Sequence, residues 1–509
     1  METITEIHYK RVVRVYPQRP RRLESILVEV TKSFGDKDSL VQIGGARLTY
    51  NELADRVERL AAWLQKRGIR PGDRVALALS NTIFFPLWSL ATLRAGAVVL
   101  PVNLRLHPEE VSVILADSLP KLVVAGEEAL HLSSALSNYT VVKAEEAKGE
   151  NASRVEEGFS EDDPAFLIYT SGTTGRPKGV ILTHFNVIHS LLHYREVFGT
   201  APEDRTLVAV PLFHVTGLIG QFLHMLLVGG TSVLLPKYQT ETFLDALERE
   251  DITFTFAVPT IYAFLLAHGL AGRSLSSWRL AAYGGAPMPL AVLQGLRETL
   301  PGLDLRNAYG ATETASPATL MPASQTDRKP LSVGKPVPKG EIRIAEPGPD
   351  GVGEILIGGP MVTPGYYNRP EETARSFTEE GYWRSGDLGY LDEEGFLFVV
   401  DRLKEVINRG GEKVYSQEVE NVLYQHPGVL EAAVIGIPDP VFGERVKAVV
   451  VPRPGVDLNP EELQRFIGER LAHYKVPEEI EFRKSLPRNA GGKVLKGLLR
   501  QESKGEVDQ

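Results

Sequence analysis

Downstream of Thr49, apolar residues recur at Leu53, Val57, Leu60, Ala61 and Leu64, the spacing of one helical face, until Gly68 and Pro71 interrupt it. Thr49 followed by Glu52 has the pattern of a capping box, in which each side chain satisfies the other residue's backbone N–H. The apolar run RVALAL then predicts a buried strand, FPLWSLATLRAG a helix and AVVLPV a second strand. Pro108 opens a further helix with Glu109 and Glu110 in its first turn, where the helix dipole favours negative charge. This alternation predicts an α/β domain with a largely parallel sheet.

The alternation resumes after residue 160, with TLVAVPLF, SVLLP, FTFAVP and RLAAYGG as strands between helical stretches. From Gly353 the texture turns strand-rich, with GEILIGG and GFLFVVDR around a short helix begun at Pro370. The C-terminal part has its own alternation: a helix after Ser416, strands EAAVIGI and VKAVVV, and a helix capped by Asn459 and opened by Pro460. A boundary near Asp401 to Lys404 divides the chain into residues 1–401 and 402–509. The stretch FHVTGLIGQFLHMLLVGGTSVLLP is interrupted by His214, Thr216, Gln221 and His224, so it predicts a buried helix and a strand and not a transmembrane span.

At 509 residues and 43% hydrophobic content the chain exceeds what one core serves. A net charge of -9 gives no global basic surface, so no nucleic-acid partner is expected, while small anionic ligands stay open. With no cysteine, disulfides, thiolate metal sites and a cysteine nucleophile are excluded. The basic N-terminus lacks the apolar core of a secretion signal, and a cytoplasmic location is expected.

Residues 169–180, YTSGTTGRPKGV, concentrate hydroxyls, glycines and a lysine directly after the apolar run AFLI. Polyphosphate requires many donors at close range on backbone able to curl, and glycine with Ser and Thr supplies both. The stretch is not a Walker A loop: five positions after Gly172 stands Pro177, and Lys178 is followed by Gly179. GVILT after Lys178 reads as a strand, so the loop is expected to join two strands, with a helix starting only after Thr183. By itself a Ser/Thr/Gly-rich surface turn has the same composition.

YTSGTTGRPKG resembles the phosphate-binding signature of the acyl-adenylate-forming superfamily, and further stretches match in order. They are PLFHVTG, YGGAP, NAYGATET, YWRSGDLG, DRLKEVINRGGEKV and PRNAGGKVLKGLLR, spanning residues 211–500. The resemblance, to the acyl-CoA synthetase branch, implies a large N-terminal domain of layered α/β subdomains and a small mobile α+β C-terminal domain. It implies a two-step reaction. A carboxylic acid is joined to the α-phosphate of ATP with release of pyrophosphate, then the thiol of CoA displaces AMP. ATP, Mg2+ and CoA are thus the expected cofactor and co-substrates, and a homodimer is left open.

By the same resemblance Thr170, Ser171, Gly172, Thr173, Thr174, Gly175 and Lys178 hold the β- and γ-phosphates. Thr312 contacts the α-phosphate, and Glu313 is the magnesium ligand. Gly284, Gly285, Ala286, Tyr309 and Gly310 form the adenine pocket; Asp387 accepts from the ribose hydroxyls and Arg402 lies near ribose or phosphate. Lys493 reaches the acyl carboxylate and the α-phosphate during adenylation. The C-terminal domain turns about Lys404 for the second step, bringing Gly410 and Gly411 to the pantetheine arm. Two departures from the family pattern are NAGGK where many relatives have Thr-Gly-Lys, and Ser416 where they commonly carry proline.

His214 resembles the aromatic gate between acyl carboxylate and pantetheine tunnel. It replaces the aspartate with which peptide-synthetase adenylation domains grip an α-ammonium group, so an amino acid substrate is disfavoured. The candidate pocket segments LIGQFLHML and VPTIYAFLL are apolar and carry no arginine for a second carboxylate. The expectation is an acyl-CoA ligase for a medium- or long-chain fatty acid, with an aryl-CoA ligase as alternative and acyl-AMP transfer to a carrier protein as a third reading.

Overall fold

In the computed structural model the Thr49 hydroxyl accepts the Glu52 N–H at 3.2 Å, and the Thr49 N–H donates to Glu52 at 2.8 Å. This capping box opens the helix Tyr50–Lys66, whose Leu53, Val57, Leu60, Ala61 and Leu64 are all buried. The structure describes residues 4–146, 160–171, 177–270, 272–488 and 494–505. They form two units. The first is Met1–Gly285, Leu296–Ile342 and Ile357–Arg384; the second is Ala286–Gly295, Arg343–Leu356 and Ser385–Gln509.

Two sheets build the first unit. A six-stranded sheet runs in the order Pro177–Thr183, Pro164–Ser171, Val98–Pro101, Arg74–Ala78, Leu122–Ala125, Val141–Lys143. Only its first pair is antiparallel. A nine-stranded sheet holds Asp304–Tyr309, Leu280–Gly284, Phe254–Ala257, Arg205–Val208, Thr231–Leu234 and Asp38–Gln42 as parallel neighbours, with antiparallel strands at its two ends. Helices between strands that run the same way are the connection such sheets require. Leu53, Phe85, Trp88 and Leu191 from helices share one core with Val75 and Phe166 from the first sheet and Leu40, Val208 and Leu234 from the second.

One placement differs from simple chain order. Asp38–Gln42 precedes every strand of the six-stranded sheet, yet it pairs in the nine-stranded sheet beside Thr231–Leu234. The membrane-like stretch is buried as expected, but it begins as a π-helix, Thr216–Leu223, before the α-helix His224–Val228 and the strand Thr231–Leu234. Among the described residues no helix is long and apolar enough to cross a membrane.

The helix His184–Phe198 buries His184 and His189, and burial first of all pushes both imidazoles down to about 3. The unfolded chain therefore binds these protons first as pH falls. Stability is expected to drop progressively from about pH 6.5 toward pH 3, by about 2 kcal/mol per histidine at pH 5. Thermal unfolding at pH 7.5 and pH 5.0 measures this, and His189→Gln is expected to flatten the dependence.

In the second unit, Gly443–Pro452 lies between Val429–Asp439 and Ile407–Arg409, with Glu412–Val414 beyond and Glu479–Phe482 parallel to it. Helices Ser416–Leu423 and Pro460–Gly468 cover one face through Val419, Leu423, Leu463 and Ile467. The helix Lys496–Gly505 covers the other, with Leu499 against Ala433, Ile435 and Ile437. Both faces of Val429–Asp439 are thus covered, which accounts for its near-continuous apolar sequence.

Candidate active site

The strand Pro164–Ser171 pairs antiparallel with Pro177–Thr183, placing Thr170 opposite Lys178 and Ser171 opposite Pro177. Thr183 then caps the helix His184–Phe198 by accepting the Asn186 N–H at 3.2 Å. The loop thus joins two strands, unlike a P-loop, which runs from strand into helix. Gly172, Thr173, Thr174 and Gly175 lie outside the described residues. The Lys178 side chain is 17% exposed; its ammonium group lies 3.3 Å from Glu372 and 5.4 Å from the centre of the Tyr366 ring.

Tyr366 was not singled out from sequence, and it links two residues that were. Its hydroxyl donates to the Glu313 carboxylate at 3.0 Å while Lys178 stands over its ring. Burial, reinforced by the Glu313 charge, raises its pKa, so the phenol keeps the proton it donates. The backbone repeats the connection: the Thr363 N–H donates to the Glu313 carbonyl at 2.8 Å, and the Tyr367 N–H to the Gly179 carbonyl at 2.8 Å. The signal in the sequence was a glycine before paired aromatics in GYYNRP, but nothing local says what those rings touch. Tyr366→Phe keeps the ring and removes the donor. It is expected to raise the magnesium concentration for half-maximal rate by about tenfold, read from initial rates against magnesium at fixed ATP.

Gly284 ends the strand Leu280–Gly284 opposite Ala308, and a Cβ on it would lie 2.3 Å from the Ala308 carbonyl oxygen. Gly310, directly after the strand Asp304–Tyr309, is tighter still: a Cβ there would stand 1.6 Å from the Ser316 carbonyl oxygen. Tyr309 is half-buried between them in sequence, and Gly285 follows Gly284 at φ 78°. The chain then forms a 3-10 turn, Thr312–Thr314, in which the Thr314 hydroxyl accepts the Ala311 N–H at 3.0 Å. Ala315 and Ser316 have φ values of 49° and 95°, left-handed conformations that cost L-residues energy and recur at functional sites. Thr312 and Glu313 sit half-buried on this turn. Ala286, assigned to the second unit, is exposed.

His214 follows a loop held by Asn81, whose side chain accepts the Leu212 N–H at 2.8 Å and donates to the Val210 carbonyl at 3.0 Å. Desolvation, with a smaller contribution from Arg105, holds the His214 imidazole down to about 4. It is neutral at pH 7.

In the second unit Asp387 and Arg402 face each other across the strands Trp383–Leu391 and Leu397–Arg402, their charged groups 3.3 Å apart. Lys404 is exposed in the turn that follows. Gly410 and Gly411 connect Ile407–Arg409 to Glu412–Val414 as a two-residue hairpin loop with φ of 61° and 93°. Positive φ at both central residues is what a type I′ turn demands, a local reason for two glycines. Lys493 lies outside the described residues.

The first unit thus brings together Lys178 and Glu313 through Tyr366, with Thr170 paired to Lys178, while Gly284 ends one strand and Gly310 follows its parallel neighbour. A carboxylate oriented by a phenol beside a lysine-bearing hairpin suits a hard cation carried by phosphates. Gly284 and Gly310 are glycine because the chain packs on itself there: a Cβ on either would meet a protein carbonyl oxygen. A different cluster, Glu6, His8 and Glu161, has carboxylates already joined by Arg19 at 2.5 and 2.8 Å and does not suit a cation.

Residues 27–367 match the AMP-binding enzyme family, and residues 418–493 match the AMP-binding enzyme C-terminal domain. A feruloyl-CoA synthase from Amycolatopsis sp is 40% identical over 91% of this chain and 95% of its own length. A long-chain-fatty-acid–CoA ligase from Bacillus subtilis is 34% identical over 96% of this chain and 95% of its own. The structure superposes with a TM-score of 0.84 on O-succinylbenzoate coenzyme A synthetase from Bacillus subtilis in complex with ATP and magnesium ion. That pair is 32% identical, over 96% of this chain and 100% of the other. The chain belongs to the AMP-binding enzyme family and is an AMP-forming acid–thiol ligase.

Proposed function

We propose that this enzyme converts a carboxylic acid with an apolar body to its acyl-AMP with ATP, releases pyrophosphate, and transfers the acyl group to CoA. The observation that carries the reading is the Tyr366 link, which sets the phosphate-loop lysine and the Glu313 carboxylate on either side of one phenol. Both partners of the first step are anions, so fixed cations and donors are what lowers its barrier. Lys178 and the hydroxyls of the loop around it hold the departing phosphates. Glu313 holds magnesium, which supplies neutralising charge to the phosphate oxygens. Asp387 accepts from the ribose, with Arg402 as its neighbour. Lys493 bonds to the acid and to the α-phosphate where the new bond forms. Residues 402–509 then turn about Lys404, and Gly410 and Gly411 offer backbone to the thiol arm. His214, neutral at working pH, gates the passage between acid and thiol.

The acid is the finer part of the proposal. The apolar segments around residues 218–226 and 258–266 favour an aliphatic or aromatic acid alike. The 40% identity to feruloyl-CoA synthase, against 34% to the fatty-acid ligase, supports testing an aryl-propenoic acid ahead of a medium- or long-chain fatty acid, whereas the sequence expectation had the fatty acid first and a benzoate-like aryl acid as alternative. Both co-substrates belong to the cell interior, which supports a cytoplasmic location. Purified enzyme with ATP, magnesium and CoA is assayed against ferulate, benzoate, decanoate, palmitate and succinylbenzoate for AMP and acyl-CoA. Absence of both products with every acid refutes the proposal. Acyl-AMP that accumulates with free CoA but is consumed by a holo-carrier protein moves the acceptor to the carrier.

A further inference from the structure

Beside the turn bearing Lys404, the second unit holds a polar network centred on the buried Asp401 and Ser416, with Lys496 and Glu420 partly exposed at its edge. Asp401, 1% exposed, accepts the Ser416 N–H at 2.5 Å and the Ser416 hydroxyl at 3.1 Å. The Lys496 ammonium donates to that same hydroxyl at 2.7 Å and pairs with Glu420 at 2.6 Å. Glu420 also accepts the Val434 N–H at 2.7 Å. Burial raises the pKa of both carboxylates, and Lys496 is the cation that opposes this in each case. One helical turn further on, Arg500 pairs with Glu405 at 2.5 Å. The helix Lys496–Gly505 is therefore fastened on both sides of residue 404: through Ser416 to Asp401, and directly to Glu405.

Ser416 is the first residue of the helix Ser416–Leu423, where proline is at home because that N–H has no helical partner. Proline would offer Asp401 neither the N–H nor the hydroxyl, and it would leave Lys496 without an acceptor there. The departure from the family pattern at this position is what completes the network.

Lys493 stands three residues before Lys496 in the chain. The described residues on each side of 489–493 are anchored as well. Arg488 bridges Val494 in antiparallel fashion, the Leu495 N–H donates to the Pro487 carbonyl at 2.8 Å, and Arg488 pairs with Glu431 at 2.6 Å.

We propose that Lys496 is a positioning residue for adenylation: by tying the start of the C-terminal helix to Ser416 and Glu420, it sets where Lys493 can reach relative to the turn at Lys404. The inference rests on the adenylation role proposed above for Lys493. Lys496 itself touches no reactant; it acts through the placement of its neighbour. Misplacement by about 1 Å can cost a reaction up to about a hundredfold, and only the half-reaction that uses Lys493 pays that cost.

The test separates the half-reactions in the full-length enzyme, with ferulate or decanoate for acid-dependent exchange of pyrophosphate into ATP, and the matching synthetic acyl-AMP with CoA for thiolation. Lys496→Met leaves two carboxylates without their cation, so it is paired with the double variant Glu420→Gln/Lys496→Met, which removes the stranded Glu420 charge. The double variant is expected to unfold within a few degrees of the parent, to lose about 10- to 100-fold in exchange, and to keep thiolation within about twofold. Equal loss in both half-reactions, or exchange unchanged, overturns the positioning role. Lys493→Ala distinguishes the two levels: if its exchange survives, the reading of Lys493 fails, whereas exchange lost in Lys493→Ala but intact in the double variant removes only Lys496.

Discussion

Lys493→Ala is expected to slow acid-dependent exchange of pyrophosphate into ATP by about 10²–10³-fold, the usual effect of removing one donor aimed at developing charge. Conversion of supplied acyl-AMP to acyl-CoA should stay within about twofold of the parent, because the role proposed for the lysine is confined to the first step. The physical reason is charge. A carboxylate attacking a polyphosphate brings two anions into contact, and an ammonium group between them is stabilising only while both are present. After pyrophosphate has left, the acyl-AMP is a mixed anhydride that a thiol attacks without that cation. Equal loss of both half-reactions would refute the assignment.

The second large effect is expected at Glu313. Glu313→Gln preserves the shape and the acceptor that the Tyr366 hydroxyl uses, but it removes the charge that makes a magnesium–phosphate complex welcome. The overall rate should fall by roughly 10²-fold, with the magnesium requirement shifted upward and the Michaelis constant for the acid little changed. Initial rates against magnesium at several ATP concentrations measure both terms. A magnesium curve superimposable on that of the parent would remove Glu313 from the metal site. Comparison with Tyr366→Phe adds resolution: the two changes act on one carboxylate, so their effects on magnesium should be markedly less than additive in the double variant.

Much of this site could be read along the chain because its parts are local backbone devices. The YTSGTTGRPKG loop is bounded by two strands whose apolar runs are visible in sequence, and Thr183 caps the next helix as its position suggested. Asn459 accepts the Glu462 N–H at 2.7 Å before a helix opened by proline, again as the residues indicate, whereas the tight hairpin at Gly410 and Gly411 came from the structure. Asp387 and Arg402 are separated by one hairpin, so their pairing is close to a local property as well.

Other features had no local signature. Nothing in SLVQ says that this strand joins the nine-stranded sheet and not the one its successors build; that is set by the pairing of Leu40 with Ser232 and of Val41 with Val233. The stretch from Phe213 to Pro236 is mostly apolar with a few polar interruptions, so its sequence could give burial but not the π-helical start at Thr216. Tyr366 carries no mark of its own importance, since its partners Lys178 and Glu313 both lie far before it in the chain.

By itself the sequence determined the elements, the alternation that makes the fold α/β, the order of the motifs and through them the class of reaction, because these depend on residues within a few positions of one another. Tertiary structure alone decided that a phenol would join Lys178 to the Glu313 carboxylate, and that Asp401, Ser416, Lys496 and Glu420 would share one polar network. Such contacts are made where the chain returns to itself, and whether a buried charge meets its counter-charge is settled by the packing of the whole unit, not by the residues on either side of it.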